Sequence, residues 1–189
     1  MTGIVNSTGA RSGIVGTTVG TPAGGGIENA TWMRLETTLT SDANDAIPNW
    51  QIQHGSTGNI GTLVTEASGH FTFPQTGMWL IIYNPSYYSP ALKYYIESRI
   101  LAAEDYSGSS GTFTYQARSF SSTYHPGSGD DFYASSSVTY IFDVEDVATH
   151  KAALGMAGAA ATADMSIIGT ADTLEGSTSH VLFMRIGDT

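Results

Sequence analysis

The stretch Gly69-His70-Phe71-Thr72-Phe73-Pro74-Gln75-Thr76-Gly77-Met78-Trp79-Leu80-Ile81-Ile82-Tyr83-Asn84 decides the fold class. Phe71 and Phe73 alternate with Thr72, the period of a strand with one buried face. Pro74 fixes its own φ and has no N–H to give a ladder, so the strand ends there. Gln75-Thr76-Gly77 supplies a turn, with Gly77 free to take positive φ. Residues 78–83 are then apolar or aromatic without a break. Such a run predicts a strand buried on both faces, and the proline and glycine ahead of it disfavour a buried helix.

The same period extends outward on both sides. Upstream, Thr31, Met33, Leu35, Thr37 and Leu39 share one side, and Trp32, Arg34, Glu36 and Thr38 the other. Residues 50–52 form a short strand candidate, and 61–65 lead into the corner. Downstream, residues 84–90 hold two prolines and two tyrosines and read as a loop. Residues 92–102 fit an amphipathic helix or a strand, and their β-branched and aromatic density favours the strand. Further strands are expected over 112–122, 133–143, 150–156, 163–169 and 179–187. The alanine-rich span 147–163 tempts a helix reading, but Gly155 and Gly158 each cost about 1 kcal/mol in a helix interior. About eight to ten short strands, with turn signals every ~8–12 residues, predict an antiparallel all-β sandwich, and the length suits a jelly roll.

Bulk composition narrows the function. The 189 residues are 41% hydrophobic but only 13% charged, with 22 glycines, which suits a turn-rich β domain. The net charge is −10, and the seven basic residues are scattered, so nucleic acid is excluded as a partner. The absence of cysteine removes disulfides and thiolate chemistry. No apolar run approaches the ~18 residues of a membrane span, so no membrane partner is expected. No charged-then-apolar signal pattern opens the sequence, which argues against Sec export.

Residues 1–27 read as a separate extended arm, with the domain occupying 28–189. Gly3-Ile4-Val5-Asn6-Ser7-Thr8 recurs as Gly13-Ile14-Val15-Gly16-Thr17-Thr18. Two Ile-Val pairs bury too little area to fold alone, whereas they suit extended segments laid on another surface. Ile4, Val5, Ile14 and Val15 are therefore the candidate attachment residues. Pro22 and Gly24-Gly25-Gly26 read as a hinge.

Three features, taken in order, resemble the complement-globular-head and tumour-necrosis-factor superfamily. They are the Gly-x-Phe-x-Phe-Pro-x-x-Gly-x-Trp corner of residues 69–79, the acidic strand end Ile141-Phe142-Asp143-Val144-Glu145-Asp146, and the apolar strand at 180–186. The likeness spans roughly residues 30–189. It implies a jelly roll whose last strand lies in the middle of the inner sheet. It also implies a homotrimer with aromatic residues near its axis, and Tyr94, Tyr95, Tyr140 and Phe183 are the candidates for that interface. The arm resembles those of marine bacteriophage virion proteins. The resemblance thus implies a non-enzymatic structural protein, a decoration, head-fibre or tail-fibre component. It would be made in the host cytoplasm, exposed on the particle surface, and held by capsid or tail proteins of the same virion. The alternative is a receptor-binding tip for host surface glycan, with Tyr87, Tyr88 and Tyr124 as contacts.

No residue set points to catalysis, to a cofactor or to a metal centre. His54, His70, His125, His150 and His180 lack the spacing of a helical zinc site. Asp130-Asp131 in a Gly-Ser-Gly loop offers oxygen ligands for calcium, but no calcium-loop repeat surrounds it, and a solvated turn is the stronger reading. No nucleophile elbow and no phosphate-binding glycine loop is present. A polysaccharide depolymerase is the one enzyme reading left, because any two of the 17 acids can meet in space.

Overall fold

The computed structural model describes residues 27–41, 43–52, 58–90, 95–122, 132–158, 165–170 and 178–189. Among these the chain contains strands and no helix. They are β1 (Ala30–Leu35), β2 (Leu39–Thr40), β3 (Ala43–Asn44), β4 (Trp50–Ile52), β5 (Thr65–Ala67), β6 (His70–Thr72), β7 (Gly77–Asn84) and β8 (Ser86–Ser89). There follow β9 (Tyr95–Ala103), β10 (Thr114–Ser122), β11 (Phe132–Ser135), β12 (Val138–Val144), β13 (Lys151–Gly158), β14 (Ser166–Ile167) and β15 (His180–Gly187).

Two antiparallel sheets face each other. The first has the order β12-β7-β15-β1-β4, so the last strand lies centrally, as expected. The second runs β10-β9-β13-β6-β5, with β3 also on β13. A short third sheet, β11-β8-β14-β2, closes one end. The corner at 73–76 carries the chain between the layers, since β6 belongs to the second sheet and β7 to the first. Gly77 sits at φ 132°, and a Cβ there would meet the Gly187 carbonyl oxygen at 2.5 Å. Only glycine fits both constraints.

The core lies between the two main sheets. Phe71, Trp79, Ile81, Tyr83 and Phe183 are fully buried in it. Phe71 and Phe183 rings stand 4.8 Å apart, and Phe73 and Trp79 rings 5.2 Å apart. Each such side chain contributes about 1.5–3 kcal/mol by burial. The Trp79 indole N–H donates to the Gln75 carbonyl at 3.1 Å, which satisfies its one polar group and pins the corner.

Several sequence expectations need correction. Residues 78–83 are not buried on both faces. Trp79, Ile81 and Tyr83 enter the core, whereas Met78, Leu80 and Ile82 on the other side remain half-buried. The reason is that no layer of this chain's described residues covers the outer side of that sheet. Residues 86–89, expected as loop, form β8, because Pro85 and Pro90 bracket the strand instead of interrupting it. The single strand expected over 133–143 is two, β11 and β12, which join different sheets. Residues 150–156 do form a strand, β13. A Cβ on Gly155 would come within 3.0 Å of the Asn44 carbonyl oxygen, so a small residue is required beneath β3.

Candidate functional site

The outer face of the β12-β7-β15-β1-β4 sheet is the candidate site. Strand register defines it in rows. Ile141 on β12 lies beside Leu80 on β7, which lies beside Met184 on β15 and then Ala30 on β1. The next row is Thr139, Ile82, Leu182 and Trp32. Beyond it come Asn84, His180, Arg34 and Gln51, a polar margin. An antiparallel sheet facing water normally turns polar side chains outward. This one turns out Ile141 (46% exposed), Leu80, Ile82, Leu182 and Met184. Five strands about 4.8 Å apart, averaging about six residues in length at about 3.4 Å each, make this face, its polar margin included, roughly 500 Å². The apolar rows of Ile141, Leu80 and Met184 and of Ile82, Leu182 and Trp32 occupy part of that area.

The margin is anchored by aromatic and charged groups. Trp32 stacks on His180. The His180 imidazole is pushed below its usual pKa by burial, and its buried Nδ1 has no hydrogen-bond partner among the described residues. Arg34 is buried on the same face and donates through Nη1 to the Thr170 carbonyl at 2.6 Å.

A second apolar patch lies on the other sheet, at the open edge formed by β10 beside β9. Tyr95 (40% exposed) packs edge-on against Phe120 (57% exposed), with ring centroids 5.4 Å apart. Arg118 lies over the Phe120 and Tyr115 rings. Beneath them Glu97 is buried between Arg99 (2.9 Å) and Arg118 (3.2 Å). Burial alone would raise the Glu97 carboxyl, but hydrogen bonds and charge from the two guanidiniums more than offset that and hold it below the usual range.

The structure sorts the candidate residues. Tyr95 lies on this exposed edge. Phe183 is wholly in the core against Phe71 and Phe73, so it contributes no subunit surface. It has the register of Ile81, which points inward, whereas its neighbours Leu182 and Met184 point out. Tyr140 also has the inward parity of Val138 and Phe142 and packs on the core. Tyr87 is fully buried, with its hydroxyl 2.6 Å from Ser98 Oγ, so it makes no glycan contact. Tyr88 is half-buried beside Tyr133, which is 70% exposed. Tyr94, Tyr124, Asp130, Asp131, His54, His125 and the arm residues Ile4, Val5, Ile14 and Val15 lie outside the described residues. His70, His150 and His180 each lie against a different aromatic ring: Phe113, Phe142 and Trp32. Among the described residues no three histidine or acidic side chains gather as metal ligands.

The sequence reading missed the outward residues of β7 and β15. Their signal was present as the unbroken run 78–83, which is more apolar than a strand with a solvated face requires.

No family model and no curated protein matches the sequence. Solved structures do match the fold. Eiger TNF from S. frugiperda superposes with a TM-score of 0.55 at 12% identity, over 85% of this chain and 93% of that one. The fold is a tumour-necrosis-factor-like jelly roll. Murine APRIL, in a crystal structure at pH 5.0, gives a TM-score of 0.54 at 11% identity, over 83% of this chain and 98% of that one. Identities this low concern the jelly roll alone and carry no function across.

Proposed function

We propose that this chain is a non-enzymatic structural protein of a bacteriophage virion. It forms homotrimers through the outer face of the β12-β7-β15-β1-β4 sheet and is fastened to capsid or tail proteins by its N-terminal arms. The observation that carries the assembly is the apolar face itself, with Leu80, Ile82, Leu182 and Met184 in adjacent rows. The chain offers two unlike patches, this face and the Tyr95–Phe120 edge. Joining unlike patches head to tail gives a closed ring when the rotation closes, and three copies make the smallest ring of that kind. The virion setting is supported by the Gly-Ile-Val repeat of the arm and by a low-charge, acidic composition. Three arms on one trimer multiply weak single contacts through effective concentration.

The test is to delete residues 1–26 and mix the truncated protein with particles lacking it. The truncated protein is expected to remain a folded trimer and to stay in the supernatant when the particles are sedimented. Co-sedimentation at full occupancy would place the anchor in the jelly roll and overturn the arm's role.

A further inference from the structure

A second site lies on the opposite side of the molecule, on the outer surface of the β10-β9-β13-β6-β5 sheet. Residues 104–113, between β9 and β10, fold back over that surface. Tyr106 N–H donates to the Thr149 carbonyl at 3.0 Å, and Thr112 N–H donates to Asp105 Oδ1 at 2.7 Å. The segment brings Phe113 onto the His70 ring, 4.8 Å between centroids, and Tyr106 to 5.3 Å from it. An open cleft of about 340 Å³ results, lined by His70, Thr72, Tyr106 and Lys151, with Ala67 and Ala148 at its margin. Ligand pockets begin near this size, at about 300 Å³, which is room for one monosaccharide unit.

Lys151 gives the cleft its chemistry. It is only 7% exposed, yet no carboxylate lies within ion-pair distance of it among the described residues. Arg118 has one, and Arg99 and Arg185 have two each. Its Nζ donates to the Val147 carbonyl at 2.8 Å, which leaves two of its three donors for other acceptors. The two acids whose charge reaches the cleft are each tied to their own loop, Asp146 Oδ1 accepting from Ala148 N–H and Glu66 Oε1 from Gly69 N–H, and neither is in ion-pair contact with Lys151. In a chain of net charge −10, this sequestered cation thus has no carboxylate in ion-pair contact among the described residues, and it stands beside an aromatic wall. Burial lowers the Lys151 pKa, opposed by the more distant Asp146 charge, so an arriving anion would stabilise the ammonium. The Tyr106 hydroxyl stands 3.5 Å from His70 Nδ1, at the outer limit of a hydrogen bond, so both groups are available to a third oxygen.

We propose that this cleft binds one carboxylate-bearing sugar residue, a hexuronate unit of an acidic polysaccharide. Lys151 takes the carboxylate, His70, Tyr106 and Thr72 meet ring hydroxyls, and the Tyr106 ring with the two alanine methyls covers the apolar C–H edge. The inference does not rest on the virion reading or on trimer formation.

The experiment is saturation-transfer NMR on the full chain with D-glucuronate, glucose, neutral glucuronamide and inorganic phosphate. Glucuronate is expected to receive saturation. Glucose and glucuronamide should bind about tenfold more weakly, the scale of one charge-assisted hydrogen bond. Lys151→Met, which keeps the stem and removes the charge, should weaken glucuronate by a similar factor. Ala148→Trp, at an exposed position, should block the cleft without disturbing the core, and it decides the matter if Lys151→Met fails to fold. Absence of transfer, equal transfer to glucose, or unchanged binding in Ala148→Trp would overturn the proposal. Displacement of glucuronate by equimolar phosphate would also overturn it, because that marks a simple anion site.

Discussion

The Trp32 indole lies flat on the His180 imidazole, with ring centroids 4.5 Å apart and planes inclined by 16°. The two residues sit on adjacent strands, β1 and β15, where the apolar rows of the proposed assembly face meet its polar margin. Arg34 on β1 is the cross-strand partner of His180, and Asn84 is its partner on β7. A proton on His180 would therefore put a second positive charge beside Arg34, against a ring, in a partly desolvated place.

That arrangement fixes the sign of a pH effect. Burial holds the folded pKa of His180 below the ordinary value of 6.5. Above 6.5 the ring is neutral in both states and the fold loses nothing. As pH falls below 6.5 the unfolded chain binds the proton first, so stability declines until the folded pKa is passed. The melting temperature should fall between pH 7.5 and pH 5, and His180→Asn should fall less steeply. His70, also lowered by burial, leaves a residual slope in the variant. Equal slopes in the two proteins would show that His180 is not held neutral by its surroundings.

Trp79 tests the corner. It is fully buried beside Phe73, so Trp79→Ala should leave a cavity and cost about 3–5 kcal/mol. Chemical denaturation should show a large drop in midpoint with little change in slope. A midpoint close to that of the parent protein would mean that the register of β7 is wrong by one residue.

Neighbours on β15 give a sharper contrast. Phe183 points into the core and Leu182 points out of the sheet. Phe183→Ala should destabilise the subunit itself by about 3–5 kcal/mol. Leu182→Asp should keep the β-sheet circular-dichroism spectrum but separate the subunits, because assembly would bury an unpaired carboxylate. A Leu182→Asp protein that sediments like the parent would remove the face from the interface.

The parts of the fold that could be read from residues are those where one local rule acts alone. Phe71, Thr72 and Phe73 alternate, Pro74 stops the strand, and Gly77 takes the positive φ that its position demands. Gly155 and Gly158 argued correctly against a helix over 151–158, where β13 lies. The errors arose where tertiary pairing decided. Pro85 and Pro90 looked like loop signals, but they flank β8, whose partners β11 and β14 are distant in sequence. Tyr87 therefore reads as a surface residue from sequence alone, although it is buried with its hydroxyl on Ser98. Phe183 and Leu182 are equally apolar to a reader of the sequence, and only the register with Ile81 and Ile82 separates core from face. Lys151 gave no sign at all, because its setting depends on residues 104–113 folding back from a different part of the chain.

The most direct test of the central claim is the mass of the purified full chain by sedimentation equilibrium at micromolar concentration. The apolar face of β7 and β15, paired with the Tyr95–Phe120 edge of a neighbour, predicts a single species of three times the 19.9 kDa chain mass. Obligate interfaces of this kind bury about 2,000 Å² or more and do not dissociate on modest dilution. A stable species at 19.9 kDa would contradict the assembly and leave the apolar face without the partner assigned to it.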